Sequence, residues 1–204
     1  MSIRRTLAVS LLMLTVAEAA FAQSSADKPE RIRGTIESFS GSSLVVHRRS
    51  GDTVSIDLKD ATHVNAVKAV QLADIKPGSY VGAAATPGED GKLVAKEVLV
   101  FPEAARGAGE GHYAWDLGAN SSMTNANVDT VVQATSGREL KLSYKGGTNT
   151  ITVPTTAPVV TLIPATRDEL TKGKHVFVIA TQAKGGAYSG NQIVVEKDGV
   201  APPM

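Results

Sequence analysis

There is no cysteine anywhere in the 204 residues of this chain. Disulfides, thiolate metal sites and thiol nucleophiles are therefore excluded, and packing alone must hold the fold. Aromatic residues are scarce too, at 4% with a single tryptophan, so each large ring counts for more in a core or an interface. No apolar run reaches the roughly 20 residues of a spanning helix; the longest, residues 7–16, is too short and nothing later competes with it. Charge of one sign is missing as well: 21 basic residues face 20 acidic ones, a formal net charge of +1. A polyanion-binding surface usually needs a concentrated basic excess, so a nucleic-acid partner is not expected. The one compact basic cluster, His47-Arg48-Arg49, falls at an expected hairpin tip and reads as a solvated turn.

What is present begins with a leader. Residues 1–22 read as a secretory signal: Arg4 and Arg5 supply the positive start, residues 7–16 the apolar centre, and Ala20-Phe21-Ala22 the cleavage pattern. The expected location is the periplasm or the exterior, with no membrane span after cleavage. Removing Arg4, Arg5 and Glu18 leaves basic and acidic residues in equal number. Residues 23–30 should be flexible.

The remainder repeats itself. Gly41-Ser42-Ser43-Leu44-Val45-Val46 returns 96 residues later as Gly137-Arg138-Glu139-Leu140-Lys141-Leu142. Lys76-Pro77-Gly78-Ser79-Tyr80-Val81 returns 95 residues later as Thr171-Lys172-Gly173-Lys174-His175-Val176. Within each copy, apolar and polar residues alternate with the period of two that marks half-buried strands, as at Ile32, Gly34 and Ile36 or Val54, Ile56 and Leu58. Glycine-bearing turns at 40–42, 50–52 and 89–91 punctuate them. Residues 67–75, stopped by Pro77 and Gly78, read as a short helix or helical turn, and Thr166 with Glu169 has capping-box spacing at the matching place. The expected fold is all-β: two tandem small OB-like barrels of five to six strands, each with one short helical turn. Closure would remove the edges that short strands otherwise expose. The modules are expected at 31–101 and 125–198, joined by a segment at 102–124 and followed by a loose tail at 199–204.

That joining segment belongs to neither copy. It contains Arg106, Tyr113 and Trp115, and Tyr113 and Trp115 alternate, so in an extended chain both point the same way. They would either plug the seam between modules or line a surface for a sugar or peptide. Glu110, His112 and Asp116 lie close together too, a carboxylate-imidazole-carboxylate set able to hold zinc or a similar ion, although a plain linker explains the same glycine-rich stretch. His47, His63 and His175 are scattered and pair with nothing by sequence. Asn125, Asn127 and Asp129 space like the first ligands of a calcium loop, but Thr130 stands where that loop needs glycine, and one polar face of a strand explains them better. Gly107, Gly109 and Gly111 lack the Gly-Lys-Ser/Thr ending of a phosphate loop, and no Gly-x-Ser-x-Gly elbow occurs.

The run Arg106-Gly107-x-Gly109-Glu110-Gly111-His112-x-x-Trp115-Asp116-Leu117, then Met123-Thr124-Asn125-Ala126, is flanked by Ile75-Lys76-Pro77-Gly78 and by residues 91–98. With these flanks it resembles a group of secreted bacterial proteins of unknown function, often labelled metal ABC transporter permeases. The resemblance spans nearly the whole chain after the leader. It implies an exported protein with OB-like modules and carries over no catalytic residue. A permease role conflicts with the absence of spanning apolar helices.

The reading that results is a non-enzymatic binding or structural module of the cell envelope, without a cofactor, whose partner is an envelope protein or glycan. The alternative is a soluble divalent-metal-binding accessory using Glu110, His112 and Asp116. A hydrolase acting on envelope polymers is a weaker third.

Overall fold

A computed structural model describes residues 29–202 apart from 90, 136 and 184. The leader at 1–22 and all but the end of the 23–30 stretch lie outside the described residues. The described chain is all-β. Strands β1 (Pro29–Ser40), β2 (Ser43–Arg48) and β3 (Thr53–Ala69) form a meander, and β4 (Tyr80–Pro87) with β5 (Leu93–Val100) a hairpin. After the short β6 (Gly111–Ala114), a second meander runs through β7 (Ser122–Ala134), β8 (Gly137–Tyr144) and β9 (Gly147–Pro154). Then come β10 (Val159–Pro164) and a last hairpin, β11 (His175–Gln182) with β12 (Tyr188–Val195).

The alternation read from the sequence is the alternation of burial. Ile32, Gly34 and Ile36 of β1 face inward, as do Leu140 and Leu142 of β8, while their neighbours are half-buried or exposed. The repeated glycine turns have a backbone reason: Gly78 and Gly173 sit at φ 87° and 89°, a region that side chains resist.

Helical content is smaller than expected over 67–75. Strand β3 continues to Ala69, because Val67 and its neighbours pair antiparallel with β10, and only Leu72–Asp74 forms a 3-10 turn. A matching turn, Arg167–Glu169, stands where the capping-box spacing lies, but the Thr166 side chain makes no capping hydrogen bond. The tail is not loose as far as it is described: Val200 bridges to Lys197 and packs on a cluster of Val67, Val160 and Val194, and Pro202 is buried.

Strands β1, β2, β3, β12 and β11 close on themselves as a five-stranded barrel. Each pairs with the next, and β11 returns to β1; all contacts are antiparallel except the parallel one between β3 and β12. Its core is Ile32, Leu44, Ile56, Val176, Ile193 and their neighbours. The division into modules at 31–101 and 125–198 is corrected by these pairings. The closing hairpin comes from the far end of the chain, while the hairpin β4–β5 leaves β1–β3 and joins β7, β8 and β9. There it packs Val81, Ala83 and Val98 against Leu140, Leu142 and Ile151 in a separate core. The reason the sequence misleads here is that both hairpins alternate with a small or β-branched inner face, Val81, Ala83 and Val98 in one and Val176, Val178 and Ile193 in the other, a pattern that does not say which meander each closes.

This second set mirrors the first in register. Tyr188 of β12 stands opposite Ile56 of β3; Leu93 of β5 stands opposite Ile151 of β9, over two residue pairs. The β1–β2 ladder shifts between Ile36 and Ser38, and the β7–β8 ladder shifts at the matching place, between Val128 and Thr130. The two sets meet where β10 pairs antiparallel with β3 and parallel with β5.

Candidate functional site

The outer faces of both sets converge on a seam, and the unrepeated segment lies along it. After β5, the amide of Phe101 donates to the Tyr80 carbonyl at 3.0 Å, and the turn Glu103–Ala105 leads to Arg106. The Arg106 guanidinium grips Glu103 at 2.6 and 2.7 Å, donates to Asn127 Oδ1 at 2.7 Å and reaches the Gly78 carbonyl at 2.9 Å. The Glu103 carboxyl is held below its usual range chiefly by that hydrogen bond, and the guanidinium is raised by it. Arg106 therefore braces the start of the segment against the second set, and it does not line the cavity described below.

Past the brace, the Ala108 carbonyl accepts from the Tyr80 hydroxyl at 3.2 Å and from Asn125 Nδ2 at 3.1 Å. The backbone then adds to β7 as strand β6, with Gly111 opposite Asn125 and Tyr113 opposite Met123. In this extended strand Tyr113 points inward, and Trp115 follows two residues on, both half-buried, as their alternation predicts. Their rings tilt against each other at 6.0 Å between centroids. Burial pushes the Tyr113 hydroxyl above its usual pKa. A tight turn follows, where Ser121 Oγ lies within hydrogen-bond distance of the Trp115 and Gly118 carbonyls and accepts from the Leu117 amide at 3.0 Å. Finally Asp116 takes both terminal nitrogens of Arg33 on β1, at 2.6 and 2.7 Å. The segment thus straps the second set to the barrel.

Between strap and seam lies a cavity of about 240 Å³. Tyr113 and Trp115 form its strap side, Phe177 and Ile179 of β11 its barrel side, and Met123 and Leu99 its wall on the second set. Asn125 and the buried Glu97 give it a polar end. Among the described residues, two buried polar atoms of the cavity's lining side chains have no hydrogen-bond partner: Trp115 Nε1, a donor, and Asn125 Oδ1, an acceptor. Gly82 is required beside the amide, since a Cβ there would lie 2.6 Å from Asn125 Oδ1. A buried donor and acceptor left without partners cost roughly 1–3 kcal/mol each.

The three residues considered as a metal set are not brought together. Glu110 Oε1 accepts from the Lys145 amide at 2.9 Å, His112 Nδ1 lies 2.8 Å from Thr124 Oγ1 and 2.9 Å from Asn149 Nδ2, and Asp116 is committed to Arg33. Among the described residues no three His, Asp or Glu side chains gather as a metal-ligand group. The donor set therefore does not fit a divalent ion in this arrangement. His47 sits by Thr53 and Glu37, His175 by Glu196, and Asn125, Asn127 and Asp129 lie in strand β7.

Phe177, Ile179 and Gly82 escaped sequence reasoning. They lie in ordinary strands, and only the pairing of distant strands turns their outer faces toward one seam. No helix among the described residues is long and apolar enough to cross a membrane. Compared with family models, curated proteins and solved structures, the chain matches none.

Proposed function

We propose that this protein is a non-enzymatic binding or structural module of the bacterial cell envelope, built from two OB-like barrels that exchange their closing hairpins. The exported location rests on the leader pattern at 1–22. The two-barrel reading rests on the shared registers and shifts of the two strand sets, and on the strand order β1-β2-β3-β12-β11 with one parallel contact. The central strap holds the two together and forms the binding surface.

The observation that carries the binding role is the seam cavity, with aromatic walls and an unpartnered donor and acceptor at Trp115 and Asn125. At about 240 Å³ it falls short of the roughly 300–1,000 Å³ typical of sites that enclose a whole drug-sized ligand. It suits one sugar ring or one side chain of a larger envelope partner, with Trp115 Nε1 and Asn125 Oδ1 setting its orientation. The test is titration with soluble envelope glycan fragments and with peptides from envelope proteins, read by Trp115 emission and by calorimetry. Saturable binding that Asn125→Ala weakens about tenfold, measured below the melting temperature that the loss of its hydrogen bonds to the Ala108 carbonyl and the Tyr113 hydroxyl lowers, is the expected result. Absence of saturable binding in both ligand sets overturns the reading.

A further inference from the structure

A second cleft lies beside the end of the strap at Asp116 and Leu117, outside the seam cavity and independent of the reading above. Its volume is about 370 Å³, and Arg31, Arg33, Arg48, Arg49 and Asp116 line it. We propose that it binds an oxyanion of the phosphate or phosphate-ester class.

The sequence separates these arginines into two pairs, and the fold unites them. Arg31 and Arg33 share the outer face of β1, and the register that sets Gly34 opposite Arg48 brings the end of β2 beside them. The Arg49 amide then donates to the Arg33 carbonyl at 3.1 Å. Three carboxylates surround the four guanidiniums: Asp116 holds Arg33, Glu30 holds Arg48 at 2.8 Å, and Asp52 stands 3.5 Å from Arg48 Nε. Arg31 and Arg49 have no carboxylate partner among the described residues. The cleft is thus left with an excess of positive charge.

Its guanidiniums are also short of acceptors. The Arg33 side chain is 9% exposed, and among the described residues its Nε finds no hydrogen-bond partner; Arg48 Nη2 is buried without one as well. Aromatic rings hold the planar groups in place: Arg31 lies 3.9 Å from the Trp115 centroid, Arg33 5.0 Å from Phe177 and Arg48 4.9 Å from Tyr188. Planar forks fixed by stacking match the oxygens of phosphate better than flexible ammonium groups do. Phosphate is favoured over a single carboxylate because four arginines line one cleft and its oxygens can accept from more than one of them.

The second strand set supplies independent support. There the first residues of β7, from Ser122 to Asn125, are covered by β6. In the barrel the corresponding stretch of β1, Glu30 to Arg33, has no such strand on that side among the described residues, and the arginine cleft lies there. One set closes this position with its own chain; the other leaves a charged recess.

The chain's only tryptophan reports on the site, since an anion drawn to Arg31 alters the group stacked on it. The experiment titrates the purified protein with inorganic phosphate at constant ionic strength, using chloride as the control, and follows Trp115 emission and heat. Expected is a saturable response to phosphate that chloride does not give. Arg49→Gln, an exposed turn position, and Arg31→Gln, read by heat, should each weaken it about tenfold with the fold intact. Asp116→Asn should tighten it by releasing Arg33. Sedimentation with vesicles bearing anionic phosphate headgroups, against neutral vesicles, identifies the source: binding competed by phosphate assigns a lipid headgroup, and phosphate binding without vesicle binding assigns a free or soluble ester. A response equal to that of chloride, or unchanged affinity in both arginine variants, overturns the proposal.

Discussion

The barrel of β1, β2, β3, β11 and β12 and the set of β4, β5, β7, β8 and β9 share one plan and differ in their dressing. Both place an inward hairpin of small and β-branched residues against a three-stranded meander, and both shift register at matching positions. Outside, the likeness ends. Where β7 carries Asn125 beside Gly82, β1 carries Arg33 beside Phe177. The lesson is that inward faces are set by packing and stay alike, while outward faces are free to diverge into a polar-ended cavity on one side and a charged cleft on the other.

The strongest test of that likeness is in the two cores. Leu44→Ala and Leu140→Ala, each at a fully buried position, should destabilise the protein by about 2–5 kcal/mol apiece. Because the barrel core draws its strands from both sides of the second core, and β10 and the strap join the two sets, both variants should shift one shared transition in calorimetry. Two separate transitions, each moved by one variant only, would break the comparison and restore independent modules.

Next in size is the strap. Trp115→Ala removes a half-buried ring from the seam and should cost about 1–3 kcal/mol, less than the roughly 3–5 of a fully buried aromatic. The melting temperature should fall by several degrees; an unchanged curve would mean that the strap does not hold the two sets together. Asp116→Asn loosens the anchor of the strap on β1 and should cost about 1 kcal/mol, because the Asp116 side chain is 42% exposed and partly screened. Raised salt should shrink that difference.

The smallest effect concerns Glu196, at the end of β12. Its carboxylate accepts from the His175 amide at 3.0 Å and lies 2.7 Å from His175 Nδ1. The backbone hydrogen bond, followed by the side-chain one, holds its pKa below the ordinary carboxylate value. A depressed folded pKa contributes stability above the unfolded value and loses it as pH falls through the folded one. Glu196→Gln should therefore be less stable than the parent at neutral pH, by about 1 kcal/mol. Denaturant melts in acid, below the usual carboxylate range, should find the gap closed.

Much of the local structure was legible. Alternation located the strands because a half-buried sheet imposes period two, and glycine marked turns such as Gly78 and Gly173 because their backbone angles demand it. The stretch at 67–75 misled: a stop signal at Pro77 and Gly78 looked like the end of a helix, whereas pairing with β10 drew Val67 and Lys68 into a strand. At the candidate site, Tyr113 and Trp115 could be read as a same-facing pair from spacing alone. Arg31 and Arg33 could not be joined to Arg48 and Arg49, because their nearness depends on strand register and on Asp116 arriving from a segment 83 residues beyond Arg33.

The amino-acid sequence by itself determined the strands, their turns, the absence of disulfides and the all-β class, since these follow from side-chain period and backbone preference within a few residues. Tertiary structure alone decided which hairpin closes which meander. The inner faces of β4–β5 and β11–β12 are both small and β-branched, and their alternation does not say which meander each closes. The choice falls to contacts that exist only after folding: the β3–β10 ladder, the Val67, Val160 and Val194 cluster, and the strap across the seam.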